Sequence, residues 1–128
     1  MSPTFYVDES CPIQVYRRLV EAGEDAVWAK AGNEGRPDPE WLAEVSARGW
    51  VVVTKDARIR YRELEREAVE RGGGRLFILE PARMKGEEMG ALMVEALPHV
   101  RAFLETNPGP FIAKIYKDGS VRRAWPAV

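Results

Sequence analysis

The chain has 128 residues, a formal net charge of −1, 45% hydrophobic and 30% charged residues, and one cysteine. That length fits a single domain spanning residues 1–128 with a core of its own, and the near-zero charge excludes a surface that is basic overall, so any contact with nucleic acid has to be local. Cys11 alone excludes an internal disulfide and fits a reducing compartment. No apolar run approaches the roughly 18 residues of a membrane span, and the start of the chain lacks a signal-peptide pattern, so a cytoplasmic protein with no membrane partner is expected.

The elements alternate. Thr4–Asp8 reads as a short strand. A helix then opens with Ser10 as its cap and Pro12 in its first turn. Its apolar stripe is Ile13, Tyr16, Leu19 and Val20, and Gly23 stops it. Asp25–Ala29 is a second strand, followed by a polar loop over Lys30–Pro37. Asp38 to about Arg48 is a helix with Trp41, Leu42 and Val45 inward, closed by Gly49.

Trp50–Thr54 is a continuous apolar strand of the kind buried on both faces in parallel sheets. Asp56–Arg71 is a charged helix anchored by Ile59, Leu64, Ala68 and Val69, ended by Gly72-Gly73-Gly74. Arg75–Leu79 is a fourth strand, broken by Pro81. From Gly86 to Glu105 the stripe Met89, Leu92, Met93, Ala96, Leu97, Val100, Phe103 and Leu104 marks a long helix. Pro98 is expected to kink or split it. Phe111–Tyr116 and Val121–Trp125 read as a terminal β-hairpin. Strands alternating with helices imply right-handed βαβ units, hence an α/β fold on a mostly parallel sheet.

That topology gathers three acids. Asp8 and Asp56 follow the first and third strands, and Asp38 opens the helix after the second, so all three fall on the rim where open α/β sheets bind ligands. Hard oxygen donors suit Mg²⁺ or Mn²⁺. Asp38 and Asp56 also make good helix caps. Asp8 has no capping duty if Ser10 holds that position. Glu9 and Glu40 are weaker candidates beside them, and Glu44 reads as solvated. Arg58, Arg60 and Arg62 follow Asp56 as a purely basic first turn, which suits a phosphate backbone gripped beside a metal. Thr54 is placed to orient Asp56.

Cys11, in a helix first turn, is expected to carry a lowered pKa. The lone His99 lies in the apolar helix, so cysteine catalysis and zinc are both disfavoured. The glycine run follows a helix instead of preceding one and is a turn, not a phosphate loop.

Phe5-Tyr6-Val7-Asp8-Glu9, Asp38-Pro39-Glu40-Trp41-Leu42 and Val53-Thr54-Lys55-Asp56, with Asp38 and Asp56 18 residues apart, together resemble the PIN-like nuclease superfamily. Arg58-Ile59-Arg60, Phe111-Ile112 and Asp118-Gly119-Ser120-Val121 are similar to its compact VapC-type members. The resemblance implies a three-layer α/β/α fold and a Mg²⁺- or Mn²⁺-dependent ribonuclease toxin. It implies Asp8, Asp38 and Asp56 as ligands, RNA as substrate and a cognate DNA-binding antitoxin as partner, with a homodimer as a further expected assembly.

Two departures stand out. Arg58 takes a position where another acid is common, and the mid-chain glutamate of longer members has no clear equivalent. Both favour one metal over two. The alternatives are a non-catalytic PIN-like binding module and a phosphorelay receiver in which Asp56 is phosphorylated.

Overall fold

The computed structural model describes residues 3–29, 38–56, 63–80 and 83–126. In chain order the elements are β1 (Phe5–Val7), α1 (Ile13–Glu21), β2 (Ala26–Trp28), α2 (Asp38–Ala47), β3 (Val51–Thr54), α3 (Glu63–Arg71), β4 (Arg75–Leu79), α4 (Gly86–Thr106), β5 (Phe111–Ile115) and β6 (Val121–Trp125). The strands form one six-stranded sheet in the order β2-β1-β3-β4-β5-β6. All neighbours are parallel except β5 and β6, which form the expected antiparallel hairpin.

Alternation along the strands sends residues to two cores. Phe5, Val7, Val51, Val53, Phe77, Leu79, Phe111, Ala113 and Ile115 face α1 and α4, where they meet Leu19, Met89, Met93 and Val100. Tyr6, Val52, Leu76, Ile78 and Ile112 face the other way, onto Trp41, Leu42 and Val45 of α2 and Ala68 and Val69 of α3. With both faces covered, β3 reads as an unbroken apolar run. Tyr6 lies 5.3 Å from Trp41 and 6.3 Å from Trp50 between ring centroids, which fixes α2 against the strand that leads to Asp8.

Several local expectations are corrected. Pro12, not Ser10, is the N-cap of α1, with extended backbone at φ −62° and ψ 146°. The α1 stripe runs through Val15 and Leu19, while Val20 is 47% exposed, because a helix of 3.6 residues per turn turns position 20 away once 15 and 19 face inward. Leu64 is likewise exposed, and α3 is anchored by Ala68 and Val69. Gly23 and Gly49 do close α1 and α2, with φ of +86° and +75° that only glycine adopts freely.

Pro98 does not split α4, which runs unbroken from Gly86 to Thr106. Its exposed ring costs one backbone hydrogen bond, while buried Ala96, Leu97 and Val100 hold the helix on the core on both sides of it. Met89, Leu92 and Met93 are core residues packed toward α1, so they offer no open face to a partner. The loop expected at Lys30–Pro37, the expected helix anchor Ile59 and the expected strand breaker Pro81 lie outside the described residues.

Candidate functional site

Strand order reverses at β1, with β2 added on one side and β3 on the other. The register Val7↔Val53 brings the two strand ends level, and the Asp8 N–H donates to the Val53 carbonyl at 2.9 Å. Asp8 and Thr54 are thus neighbours across the switch point, on the face covered by α2 and α3.

Proton accounting fixes what the three side chains do. The Ser10 hydroxyl donates to Asp8 Oδ2 at 2.6 Å and the Thr54 hydroxyl donates to the same oxygen at 2.9 Å. Each hydroxyl has one proton, so the 3.0 Å approach of Ser10 Oγ to Thr54 Oγ1 is two donors converging on one carboxylate oxygen. Both hydroxyls then accept from the backbone: Lys55 N–H reaches Ser10 Oγ at 3.0 Å and Asp56 N–H reaches Thr54 Oγ1 at 3.1 Å. Among the described residues Asp8 Oδ1 receives no hydrogen bond, which leaves that oxygen available.

Thr54 therefore orients Asp8 through its hydroxyl and holds Asp56 by its backbone N–H. The expected hydrogen bond between Thr54 and Asp56 is present, made to the Asp56 backbone N–H. Ser10, read from sequence as a helix cap, serves Asp8 instead. The local capping rule fails there because Ser10 donates back to Asp8, two residues earlier, and its other partners, Thr54 and Lys55, lie 44 and 45 residues away.

Cys11 is also corrected. Its thiol is buried, with Sγ 3.6 Å from the Val53 carbonyl. Burial pushes its pKa up and the Asp8 charge adds to the rise, so it is a neutral core group.

The remaining candidates are spread around the rim. Asp38 is the first residue of α2, the helix that leaves the rim after β2, and its side chain lies outside what is described. Asp56 sits two residues past β3 and is partly buried. Glu9 is exposed in the turn after Asp8, and Glu40 is exposed on α2. Glu44 pairs with Arg48 at 3.1 Å on the solvent side. Arg58, Arg60 and Arg62 lie outside the described residues. Among the described residues, no three His, Cys, Asp or Glu side chains form a metal-holding group.

Two further pairs at this rim were not singled out by the sequence reading. Glu80 follows β4 as Asp8 follows β1, and its carboxylate meets Lys114 Nζ at 3.3 Å. On β6, the Arg122 guanidinium carbon lies 5.8 Å from the centroid of the Tyr116 ring. The signal for Glu80 was present: it is a carboxylate directly after an apolar strand, the same pattern that identified Asp8.

Strands and helices thus define an open α/β domain with acids at its topological switch point. Residues 3–81 match the family described as a PIN like domain, and the chain belongs to that family. It is also 34% identical over 123 residues, 91% of this chain and 88% of the other, to the protein of Mycobacterium tuberculosis (strain ATCC 25618 / H37Rv) named "Putative ribonuclease VapC45". No solved structure matches the chain significantly. Family membership sets aside the phosphorelay receiver reading.

Proposed function

We propose that this protein is a metal-dependent endoribonuclease, the toxin of a toxin–antitoxin pair, acting in the cytoplasm as one domain over residues 1–128. The observation that carries the reading is the locked carboxylate at the switch point. Asp8 Oδ2 is occupied by two hydroxyl protons, and its other oxygen has no donor among the described residues. An all-oxygen set of Asp8, Asp38 and Asp56 suits Mg²⁺ or Mn²⁺. Family membership and a relative with a ribonuclease name support the same reading.

Asp8, Asp38 and Asp56 would hold the cation. When bound, it supplies Lewis acidity, lowering the pKa of a coordinated water and offsetting charge on the phosphate. The protein's own part is positioning. Ser10 and Thr54 fix the Asp8 rotamer, and the Lys55 and Asp56 amides fix Ser10 and Thr54, so the chain from Asp8 to Asp56 is braced before substrate arrives. Arg58, Arg60 and Arg62, next along the chain, would steady the RNA backbone.

The cognate partner is a DNA-binding antitoxin whose tail lays an arginine on the acids, because a guanidinium pairs bidentately with carboxylates and is always charged. The second reading, a non-catalytic PIN-like binding module, is favoured by one observation, Arg58 where another acid is common.

The test is cleavage of a mixed RNA pool with Mg²⁺ or Mn²⁺ and with chelator. Wild type should cleave only with metal. Asp8→Asn, Asp38→Asn and Asp56→Asn should each remove most activity, and pairs of substitutions should cost little more than single ones, since groups acting as a unit are non-additive. Asp38→Asn that melts earlier yet cleaves normally would reduce Asp38 to a helix cap. Metal-independent RNA binding without cleavage would favour the binding module.

A further inference from the structure

The rim continues beyond the acids, and register shows where it goes. Thr54 pairs with Ile78, Ile78 with Lys114, and Lys114 with Arg122. With Asp8 beside Thr54, one row crosses the sheet from Asp8 to Arg122, all on the face covered by α2 and α3. Tyr116 lies two residues past Lys114 on that face, at the same rim. From β1 to β5 there are three interstrand steps, about 14 Å at the usual spacing.

The chemistry changes along that distance. In the middle, Lys114 is mostly buried and paired with Glu80, so the pair contributes no net charge. Past it the surface becomes cationic and aromatic. An open cavity of about 390 Å³ is lined by Tyr116, Lys117, Asp118, Ser120 and Arg122. Its one acid is turned into its own turn: Asp118 accepts from the Ser120 hydroxyl at 2.6 Å and the Ser120 N–H at 2.9 Å, and these bonds hold its pKa below the usual carboxylate range. Among the described residues neither Arg122 nor Lys117 has a salt-bridge partner.

The platform is also rigid. Gly119 N–H bonds the Tyr116 carbonyl and Tyr116 N–H bonds the Ser120 carbonyl, each at 2.9 Å. His99 Nδ1 meets the Gly119 carbonyl at 2.9 Å, and since a carbonyl only accepts, that nitrogen carries the proton and ties the turn to α4.

We propose that this end of the rim seats one nucleotide of single-stranded RNA, its base on the Tyr116 ring and its phosphate against Arg122 and Lys117. An aromatic ring with one cation over it and another beside it, neither in a salt bridge among the described residues, is the combination that holds single strands with little regard to sequence. It also answers how a protein of net charge −1 grips a polyanion near a cluster of acids: the grip is displaced along the rim from the carboxylates. The inference rests on the ribonuclease reading and assigns it a second contact with the substrate.

The test uses the full chain and a labelled single-stranded oligoribonucleotide. Fluorescence anisotropy in chelator gives Kd, and cleavage in Mn²⁺ gives KM and kcat. Tyr116→Ala should weaken binding by roughly 5- to 100-fold, and Tyr116→Trp should restore it. Arg122→Ala should flatten the slope of log K against log salt by about 0.7, and Arg122→Glu, at an exposed position that the fold tolerates, should weaken binding further. The losses should fall on KM more than on kcat. Wild-type cleavage with all four variants unchanged in Kd and KM would overturn the seat and leave the nuclease reading intact. Wild type that neither binds nor cleaves RNA would overturn both. Variants that keep RNA affinity but lose capture of the antitoxin would assign the surface to the protein partner and overturn the proposal.

Discussion

Asp8 is a surface-rim carboxylate held like a core residue, and the cost of loosening it is readable in advance. Thr54 is fully buried and serves two groups at once, donating to Asp8 and accepting from Asp56 N–H. Thr54→Val keeps the shape and removes both bonds. Leaving the Asp56 N–H without its partner should cost about 1–3 kcal/mol in denaturant unfolding. Cleavage should fall about 10- to 100-fold, the usual effect of losing a group that orients a metal ligand. Unchanged cleavage would mean that Asp8 does not depend on Thr54.

Cys11 gives a contrasting expectation. Its thiol is buried and its pKa is raised, so a thiol reagent at pH 8 should react slowly with folded protein and quickly after unfolding. Fast labelling of the native state would contradict the packing around Val53.

At the level of elements, α4 invites an experiment. Pro98 is exposed within a continuous helix. Pro98→Ala should add the missing bond to the Val94 carbonyl and stabilise the protein by about 1–3 kcal/mol, less a few tenths regained by the freer unfolded chain. A lower melting temperature would show that the helix bends to fit the proline.

What the sequence revealed and concealed follows the range of the interactions. The apolar runs at Val51–Thr54 and Arg75–Leu79 and the stripe from Met89 to Val100 were legible because burial on a sheet or helix face stamps a local period. So was the switch point, with Asp8 directly after β1 beside it. Ser10 is misread as a cap because a hydroxyl near a helix start has that habit; its bond to Asp8 is local, but its contacts with Thr54 and Lys55 form only once β1 and β3 are side by side. The Tyr116–Arg122 shelf was hidden for the same reason, since two residues on opposite strands of a hairpin share a face only once register is known.

For the whole molecule, the expected cation links site to stability. In the proposed site, Asp8, Asp38 and Asp56 would repel one another without a cation, and a cation that binds only the folded state stabilises it. Millimolar Mn²⁺ should therefore raise the melting temperature of wild type and leave the Asp8→Asn, Asp38→Asn, Asp56→Asn triple variant unmoved. Equal shifts in both, or none in either, would count against a metal at these residues. The two cores on opposite faces of the sheet should melt together, because every strand contributes apolar residues to both.

The sheet ends in β6, whose outer side has no neighbouring strand among the described residues. An open edge of this kind templates pairing with a second chain, and charge is the usual guard. Here the guard is Arg122 and Arg123, consecutive and exposed in the middle of the strand. Replacing both with valine would leave Val121, two added valines, Ala124 and Trp125 as a β-prone apolar run along the border. That double variant should aggregate on concentration, visible as rising light scattering, while each single Arg→Lys variant stays monodisperse. Substitutions at Arg122 thus act on two properties at once, affinity for a polyanion and resistance to edge-to-edge association, and a loss of RNA binding should be read only from samples whose scattering is unchanged.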